Sequence, residues 1–553
     1  MWKAGRRLLS TGRKSFCFGL VLASIASACA QVPEQEVIAM APLPFAPKHA
    51  DIPSDAVLLA QIAEAEEFRL AANFDRNFDA VDPGEGIEHA TFGQMAMDIK
   101  APSPQVLFAV GDELFEYAFR VENGLGNGLK GRPGIRAGAQ ETPNMRRVHK
   151  SEFGGPDSFS CAECHSKGGP DGAGANTQNA YLRGNGNNAR TADERNAPHL
   201  LGLGPIAALA IEMTGLLQAQ RDAGIERALA ASKARAEAGS AALKERENAS
   251  YAAAGANAIT VALEAKGVSF GILLIAADGS VDASSLKGVD EDLVVRPFGW
   301  KGHQATLRGM IEESFRIHMG LLSMHEQEQL RDGKLDPINY GDGPWFDPDR
   351  DGQHLELDSG MLTTMVGYLS QLEIPVVRPP KDPGLLARFG EGSLLFEEVG
   401  CAECHRPMLE LGEPVLQLAP KELRYAASEA IAINVATDGE HPKIDPVFAD
   451  RSSYRVRLFS DLRRHDMGPK LTSGYQQGPL GKSIFLTRPL WGLADTAPYL
   501  HDGRAPTIHD AILWHGGDAA QSRDLYTGLE AHEQHALLIF LLSLDREPTL
   551  VVP

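Results

Sequence analysis

Cysteine is scarce in this chain: only six occur among its 553 residues. Cys17 and Cys29 lie in the first thirty residues, and the other four form two copies of the pentapeptide CAECH, at 161–165 and 401–405. So few cysteines leave two ordinary uses for the pairs, as disulfides or as C-x-x-C redox pairs. A zinc site needs four ligands close together, and the distance between the two motifs in the sequence argues against one.

Positive charge is also in short supply, since 53 basic residues stand against 73 acidic ones and the formal net charge is −20. Loss of residues 1–30, which hold five basic residues and no acidic one, would take the charge to −25. An acidic surface of this kind argues against nucleic acid and against an anionic membrane as partners. After the N-terminus, the chain also lacks an apolar run long enough to span a bilayer, so no transmembrane segment is expected.

The first thirty residues have the pattern of a secretory signal peptide. Five basic residues precede an apolar run and then small residues, with cleavage expected before Gln31. A lipid anchor at Cys29 is the alternative, and Arg6-Arg7 is interpreted as ordinary basic charge rather than a twin-arginine signal. The sequence thus predicts export and a periplasmic location.

Each CAECH matches C-x-x-C-H, the attachment signal for a c-type haem. In that motif both thiols form covalent bonds to the haem, and the histidine that follows binds the iron. Two copies that use every cysteine after the signal peptide predict two covalently bound haem c groups. The residues concerned are Cys161, Cys164, His165, Cys401, Cys404 and His405.

The predicted fold is mainly α, with two cytochrome c domains, an inserted helical segment and a small β-hairpin. Residues 31–104 are interpreted as a tether and extension, 105–380 as the first domain and 381–553 as the second. The insertion is placed at 206–290, and its first sixty residues are rich in Ala, Glu, Lys and Arg, as in long helices. The stretch VSFGILLIAADGSVDASS then predicts a hairpin with an Asp-Gly turn.

Several short motifs together resemble the dihaem oxidoreductase family, which includes the bacterial dihaem cytochrome c peroxidases and their MauG-type relatives. The closest resemblance is to its thiol-oxidoreductase-like branch, described as peroxidases. The resemblance covers roughly 105–205 and 295–550 and leaves the insertion unexplained. The motifs are RNAP (195–198), FGW (298–300), HMG (318–320), HDMGP (465–469) and TAPYLHDGRAPTIHDAILWHGG (496–517).

The resemblance implies roles for the residues around the second, electron-transfer haem. His405 would be the first iron ligand. The family's second ligand lies a fixed distance after HDG, and here that position is His515, which implies bis-histidine ligation. Met467 in HDMGP is the rival ligand, and a His/Met pair would have a higher reduction potential than His/His. A capping or core role is the other alternative for His515.

The resemblance likewise implies roles around the first, peroxidatic haem, which His165 would hold. Trp300 matches the family's tryptophan between the haems, an electron relay, with a plain core tryptophan as the alternative. The family then has a glutamine, replaced here by Met310, and a distal glutamate, near which His318 falls. A neutral His318 could move the proton of peroxide as general acid and base, it could bind the iron, or it could be a plain solvent-facing or core histidine. His303 and His199 are weaker candidates for the proton transfer.

Two calcium sites are expected. The resemblance implies one between the domains, at Asn196, Thr496 and Pro498, whose oxygen atoms suit a hard cation. The other follows from the sequence DPDRDGQHLELD, which has the D-x-D-x-D-G pattern of a calcium loop. Its ligands would be Asp347, Asp349, Asp351 and Asp358, with an acidic turn as the alternative.

The resemblance implies an enzyme that reduces hydrogen peroxide at the first haem. Electrons would come through the second haem from a redox protein such as a small cytochrome or copper protein. If His318 or Met319 binds the first iron, the protein is an electron carrier only. Oxidation of another substrate, as in MauG-type or oxygenase relatives, stays open. A haem-based sensor that uses the 206–290 insertion as its contact surface is a further alternative.

Overall fold

The computed structural model describes residues 103–120, 123–126, 148–149, 156–166, 179–185, 188–243, 258–334, 345, 356–357, 359–418 and 431–546. About 39% of these residues are helical and about 17% form strands. The chain is therefore mainly α within this part, with more strand than the sequence predicted. The predicted signal peptide, nearly all of the tether, and the loop that holds Asp347, Asp349, Asp351 and Asp358 lie outside the described residues.

The helices that the structure describes follow the order of the chain. They are α1 (Pro104–Glu116), α2 (Leu203–Leu243), α3 (Leu307–Ser314), α4 (Met324–Arg331), α5 (Ser359–Gln371), α6 (Pro383–Glu398), α7 (Ile508–Leu513), α8 (Ala520–Gly528) and α9 (Ala531–Leu542). A π-helical turn, Phe315–Met319, continues α3. Short 3-10 turns lie at Ala189–Thr191, Cys401–Glu403 and Gly517–Ala519.

The described strands are short and pair antiparallel in six small sheets. Four sheets are pairs: β1 (Ala180–Leu182) with β2 (Asp193–Arg195), β6 (Val376–Val377) with β14 (Leu544–Asp545), β8 (Val415–Leu418) with β9 (Ile431–Asn434), and β12 (Arg464–Asp466) with β13 (Ile484–Leu486). In the fifth sheet, β4 (Val268–Ile275) lies between β3 (Ile259–Ala265) and β5 (Val281–Asp282). In the sixth, β11 (Tyr454–Val456) lies between β7 (Leu409–Leu411) and β10 (Asp445–Pro446).

Each CAECH follows a helix that crosses a later helix at close range. Helix α1 packs on α5 and α6 packs on α9. Glycine makes both crossings possible: a Cβ on Gly111 would overlap Tyr368, and a Cβ on Gly392 would overlap the main-chain carbonyl of Ala536. Because backbones can approach this closely only without a side chain, the two helix pairs form tightly packed supports for the two motifs.

Helix α6 shows how the sequence positions the second motif. Asp382 caps its N-terminus by accepting hydrogen bonds from two main-chain N–H groups, and Pro383 occupies the first turn, where its missing N–H costs nothing. Gly400, with φ of +79°, ends the segment in the left-handed conformation that favours glycine. The chain therefore turns into Cys401 at a defined point.

Among its described residues, the 206–290 insertion contains most of the 41-residue helix α2, which begins at Leu203, and the three-stranded sheet β3-β4-β5. The predicted hairpin is confirmed, since β4 pairs with β5 around the turn that contains Asp278 and Gly279. Residues 259–265, which the sequence predicted to be helical, instead form β3. Their exposed and buried side chains alternate with a period of two, and pairing with β4 overrides the composition of the region.

Two large hydrophobic clusters form most of the core of the described residues, and a small third one contains Leu107, Ile431 and Ile433. The second lies between α6 and α9. The first joins α1, α5 and the buried start of α2, and it also takes in Leu409, Leu411 and Val456 from the C-terminal part of the chain. The small β7-β11 sheet therefore packs away from the second helix pair, against the insertion. Among the described helices, none has the length and apolar character needed to cross a membrane.

Candidate functional site

The first CAECH turn is anchored to the end of α1, because the main-chain N–H of Ala162 donates to the carbonyl of Phe115. His165 follows, and its Nδ1 lies 2.8 Å from the carbonyl oxygen of Pro198 in the RNAP segment. Burial lowers the pKa of His165 to about 4. A neutral ring with Nδ1 engaged keeps Nε2 as the nitrogen available to a metal.

The second motif has the same arrangement at His405. Its Nδ1 lies 3.1 Å from the carbonyl oxygen of Phe459, and burial lowers its pKa to about 4. A second histidine stands beside it: the ring centroids of His405 and His515 are 6.4 Å apart. The Nδ1 of His515 is also engaged, 2.8 Å from the carbonyl oxygen of Ala511, and burial lowers its pKa.

The residues of the second site fit a haem. The two rings are close enough to serve one metal ion, since metal–imidazole bonds are about 2.0 Å long. Both rings line a cavity of about 260 Å³, and both cysteines of the motif line it too. The four motif cysteines are free thiols, so no disulfide competes for them. Burial raises the pKa of Cys401 to about 12, which keeps its thiol protonated. The donor set therefore suits a porphyrin iron.

Met467 lies on the wall of the same cavity, so the structure brings both candidate second ligands to this site. Met467 directly follows β12, and its main-chain N–H donates to the carbonyl of Ser483. The ring beside His405, however, is that of His515.

A cluster that the sequence analysis missed lies next to the second motif. The Nε2 of His465 is 2.8 Å from Asp461, and its Nδ1 is 3.9 Å from the sulfur of Cys404. Although burial opposes the charged form, Asp461 and Cys404 raise the pKa of His465 to about 10. Cys404, Asp461 and His465 could hold a metal ion by distance. A thioether at Cys404 would remove the acidic thiol from that set. Asp461 carried no signal in the sequence, because it precedes HDMGP in an ordinary loop.

Trp300 lies between the segments that support the two motifs. Its Nε1 donates to the carbonyl of Asn196 at 2.8 Å, two residues before the carbonyl that holds His165. Its ring lines the cavity that contains His405 and His515. One contact of this ring was not predicted from the sequence. The guanidinium of Arg488 lies 5.3 Å from the centroid of the Trp300 ring.

The predicted interdomain calcium residues meet at one place. Asn196 donates Nδ2 to the carbonyl of Pro498 at 2.7 Å, and its Oδ1 is buried without a hydrogen-bond partner. Thr496 lines the cavity beside them. The nitrogen and oxygen of an asparagine amide exchange places on a 180° turn, which would direct Oδ1 and the Pro498 oxygen together. An orphaned amide oxygen next to a main-chain carbonyl fits a hard cation.

His318 lies in the π-helical turn that continues α3, a type of turn that often occurs at functional sites. Its side chain is 33% exposed, and its Nδ1 lies 3.1 Å from Asp157 Oδ1. Burial lowers the pKa of His318, but the Asp157 carboxylate outweighs it, so the pKa is raised overall. His318 lies near enough to the first motif for its charge to contribute to the low pKa of His165.

Asp157 is a second residue that the sequence analysis missed, four positions before Cys161. Its other carboxylate oxygen lies 3.0 Å from Nε2 of the buried His149. Its main-chain N–H donates to the carbonyl of His318 at 2.8 Å, so both backbone and side chain hold that residue. Although burial alone raises the pKa of Asp157, His318 and His149 hold it well below its usual range.

The remaining candidates lie in less open surroundings. The Nε2 of His303 is 2.6 Å from Glu313, and Met319 is buried in the first hydrophobic cluster, against which Met310 also packs. His199 is buried in the cavity wall, where burial lowers its pKa to about 3. Among these residues and His318, only His318 is both close to His165 and substantially exposed.

The donor sets define a protein built to hold haem. Residues 423–544 match the model of the family described as "Di-haem oxidoreductase, putative peroxidase", which confirms the resemblance drawn from the sequence over this segment. No curated protein sequence matches the chain. Among the solved structures that match, one is described as "Crystal structure of a MauG-like protein associated with microbial copper homeostasis"; it matches at 14% identity, over 50% of this chain and 79% of that chain. Its TM-score is 0.23, too low to carry an argument.

Proposed function

We propose that this protein is an exported dihaem c-type cytochrome that reduces hydrogen peroxide at the first haem, with electrons relayed through the second. The observation that carries the proposal is the difference between the two motif histidines. His405 faces a second neutral histidine, whereas near His165 stands a half-exposed histidine whose Nδ1 is held by a carboxylate. In this proposal the first metal site keeps an open side, whereas His405 and His515 both bind the second iron.

The cofactors in this proposal are two haem c groups, each bound by thioethers to its CAECH cysteines. When bound, the first haem supplies the iron to which peroxide coordinates. His318 then has the task of taking the proton from the near oxygen of peroxide and returning it to the far oxygen, which leaves as water. Overall, one peroxide takes two electrons and two protons and yields two waters. Asp157 orients His318 for this task through Nδ1.

Trp300 is proposed to pass electrons from the second site to the first. Its contacts with both sites support this role. Trp300 is hydrogen-bonded to the segment that holds His165, and it lines the cavity of His405. The acidic surface suits a basic redox protein, such as a small cytochrome or copper protein, as the electron donor.

The test of the proposal is the EPR spectrum of the ferric protein, as isolated and after addition of one electron. One high-spin and one low-spin signal are expected, either at once or after reduction, with loss of the high-spin signal on addition of peroxide. A His318→Gln variant should keep both signals and reduce peroxide about 10²–10⁴-fold more slowly. Two low-spin signals in both states would contradict the proposal.

An electron carrier without peroxide chemistry is the second candidate. The observation in its favour is that the carbonyl of His318 accepts hydrogen bonds from the main-chain N–H groups of Asp157 and Ser158, just before the first CAECH, so a rearranged His318 could bind the first iron. In that case His318→Gln would turn one low-spin signal into a high-spin one. The same variant therefore separates the two functions.

We also propose calcium at Asn196, Thr496 and Pro498. The orphaned Asn196 oxygen supports the site, which would tie together two segments some 300 positions apart in the chain. One tightly bound calcium per chain is expected by metal analysis, and chelation should lower the melting temperature. An Asn196→Ala variant that retains the full calcium content would contradict this site. The loop of Asp347, Asp349, Asp351 and Asp358 stays a prediction, and calcium retained by Asn196→Ala would direct attention to it.

Export to the periplasm is a proposal too, supported by the first thirty residues. The mature protein is expected to begin at Gln31. A lipid-modified N-terminal Cys29, detected by mass spectrometry, would instead show anchoring.

A further inference from the structure

Arg488 is a charged residue that has no role in the proposed function. It is only half-buried because one side faces the cavity shared by His405, His515 and Trp300. Its guanidinium lies over the Trp300 ring, 5.3 Å from the centroid. Burial lowers the pKa of Arg488 to about 10. Within the described part of the chain it has no carboxylate partner and no hydrogen bond.

Arg464 and Arg504 each have a carboxylate partner, and Arg488 differs from them in this respect. Arg464 pairs with Asp290 at 2.6 Å, and Arg504 pairs with Asp502. The acidic residues on the cavity wall are Glu403 and Asp518, and both are exposed. Asp518 faces His465 and the main chain of β12 rather than Arg488.

A guanidinium withdrawn from water needs an anion to offset its desolvation, and its planar fork of N–H donors suits a carboxylate best. The cation–π contact with Trp300 offsets only part of that cost. The anion must therefore enter the cavity with whatever occupies it. A porphyrin of the haem c type brings two propionate carboxylates.

We infer that Arg488 binds a propionate carboxylate of the haem held by His405 and His515, and so fixes a positive charge between that haem and Trp300. This inference rests on the cofactor part of the proposed function and does not depend on peroxide reduction. A cation close to the haem favours the reduced, less positive state. Arg488 therefore raises the reduction potential of the second haem and stabilises its orientation against the relay residue.

A small free anion, such as chloride or formate, offers the same chemistry to a guanidinium. The two sources differ in one measurable respect. A propionate is attached to the haem, so its effect does not depend on the solution, whereas the effect of a free anion follows its concentration.

The experiment is a spectroelectrochemical titration of the full-length, haem-loaded protein, with haem content measured from the pyridine haemochrome spectrum. The variants are Arg488→Gln and Arg488→Lys. The control is Arg455→Gln, which removes a half-buried arginine that bonds only to main-chain carbonyls and lies outside the cavity. Each titration is run at low and high chloride and formate.

In Arg488→Gln, the second haem should lose about tenfold in its reduced-to-oxidised ratio at a given potential, a shift of about 59 mV to lower potential. Arg488→Lys should fold normally and restore part of the shift, and Arg455→Gln should match the parent protein. Two results would overturn the inference: an unchanged potential at full haem content, or a shift that chloride or formate cancels in the parent protein. Absence of covalent haem would overturn the cofactor assignment and this inference with it, whereas a failure to reduce peroxide would leave the potentials interpretable.

Discussion

Four histidines of the candidate sites fall into two chemical states, which depend on burial and on the hydrogen-bond partner of Nδ1. His165, His405 and His515 each engage Nδ1 with a main-chain carbonyl, and burial lowers the pKa of each ring. His318 engages Nδ1 with the Asp157 carboxylate, and its pKa is raised. A neutral imidazole suits a metal ligand, whereas a titratable one suits proton transfer. The residue type alone does not separate these roles.

An Asp157→Asn substitution should shift the pH dependence of peroxide reduction. Asp157 raises the pKa of His318 against the opposing effect of burial, so its loss lowers that pKa. Because His318 accepts a proton only when neutral, activity in the parent protein falls as the pH drops below the His318 pKa. The variant should keep its activity to lower pH, as measured by peroxide-dependent rates across a pH series.

Asp332→Asn serves as the matched control, since Asp332 is an exposed aspartate that pairs with Arg331 at the end of α4. Its pH profile should coincide with that of the parent. If Asp157→Asn lowers the rate equally at every pH, Asp157 has a structural role and does not tune His318.

Substitution of His515 tests whether this residue is the second ligand of the second haem iron. His515→Ala should turn the low-spin signal of the second haem high-spin, since one of its two ligands is lost. His515→Met should restore the low-spin state at a higher reduction potential, because His/Met ligation favours the ferrous iron. EPR and redox titration measure both effects. If instead Met467→Leu gives the high-spin change and His515→Ala does not, Met467 is the ligand.

The two helix pairs explain how the motifs are held at the scale of the elements. Each CAECH turn is supported by a helix whose crossing partner comes from much later in the chain: α1 meets α5, and α6 meets α9. A glycine at each crossing lets main chain approach main chain. The position of each motif histidine therefore depends on packing between distant segments.

Gly392→Ala tests the α6–α9 crossing. The added Cβ would overlap the Ala536 carbonyl, and strain of this kind costs about 1–3 kcal/mol of unfolding free energy. Gly390→Ala is the control on the same helix, because its Cβ would meet open space, and it should stabilise by about 0.4–1 kcal/mol. Chemical denaturation measures both. Equal effects from the two substitutions would show that helix propensity, and not the crossing, decides the outcome.

The insertion belongs to the body of the molecule. The start of α2 is buried in the first hydrophobic cluster, and Glu212 on α2 accepts hydrogen bonds from the main-chain N–H groups of Gly412 and Glu413. Glu212 also pairs with Lys266 in the β3–β4 turn. The insertion thus connects its own sheet with the C-terminal part of the chain, which argues against a purely detachable partner surface.

Glu212→Ala should lower the unfolding free energy by about 1–3 kcal/mol, because two main-chain N–H groups lose their acceptor. Glu226→Ala removes an exposed glutamate from the same helix and should change stability by less than about 0.5 kcal/mol. Thermal unfolding followed by circular dichroism compares them. A Glu212→Ala protein as stable as Glu226→Ala would indicate that the apolar contacts of α2 alone hold the insertion in place.

Local motifs in the sequence were sufficient to predict the haem class, the mainly α fold and the Asp-Gly hairpin. CAECH needs only adjacent residues, and the hairpin needs a turn between two apolar segments. Strand β3 was missed because its partner β4, and not its own composition, makes it extended. The acidic calcium loop and the signal peptide are likewise local patterns, and they stay predictions.

By itself the sequence predicted which residues hold haem, since the proposed attachment motif consists of five consecutive residues. Tertiary structure alone decided which residues surround those histidines. Asp157 reaches His318 across 161 positions, and Arg488 reaches Trp300 from a segment that is more distant still in the sequence. The physical reason is that the pKa of a side chain and the need of a buried charge for a partner depend on neighbours in space, and spacing along the chain does not specify those neighbours.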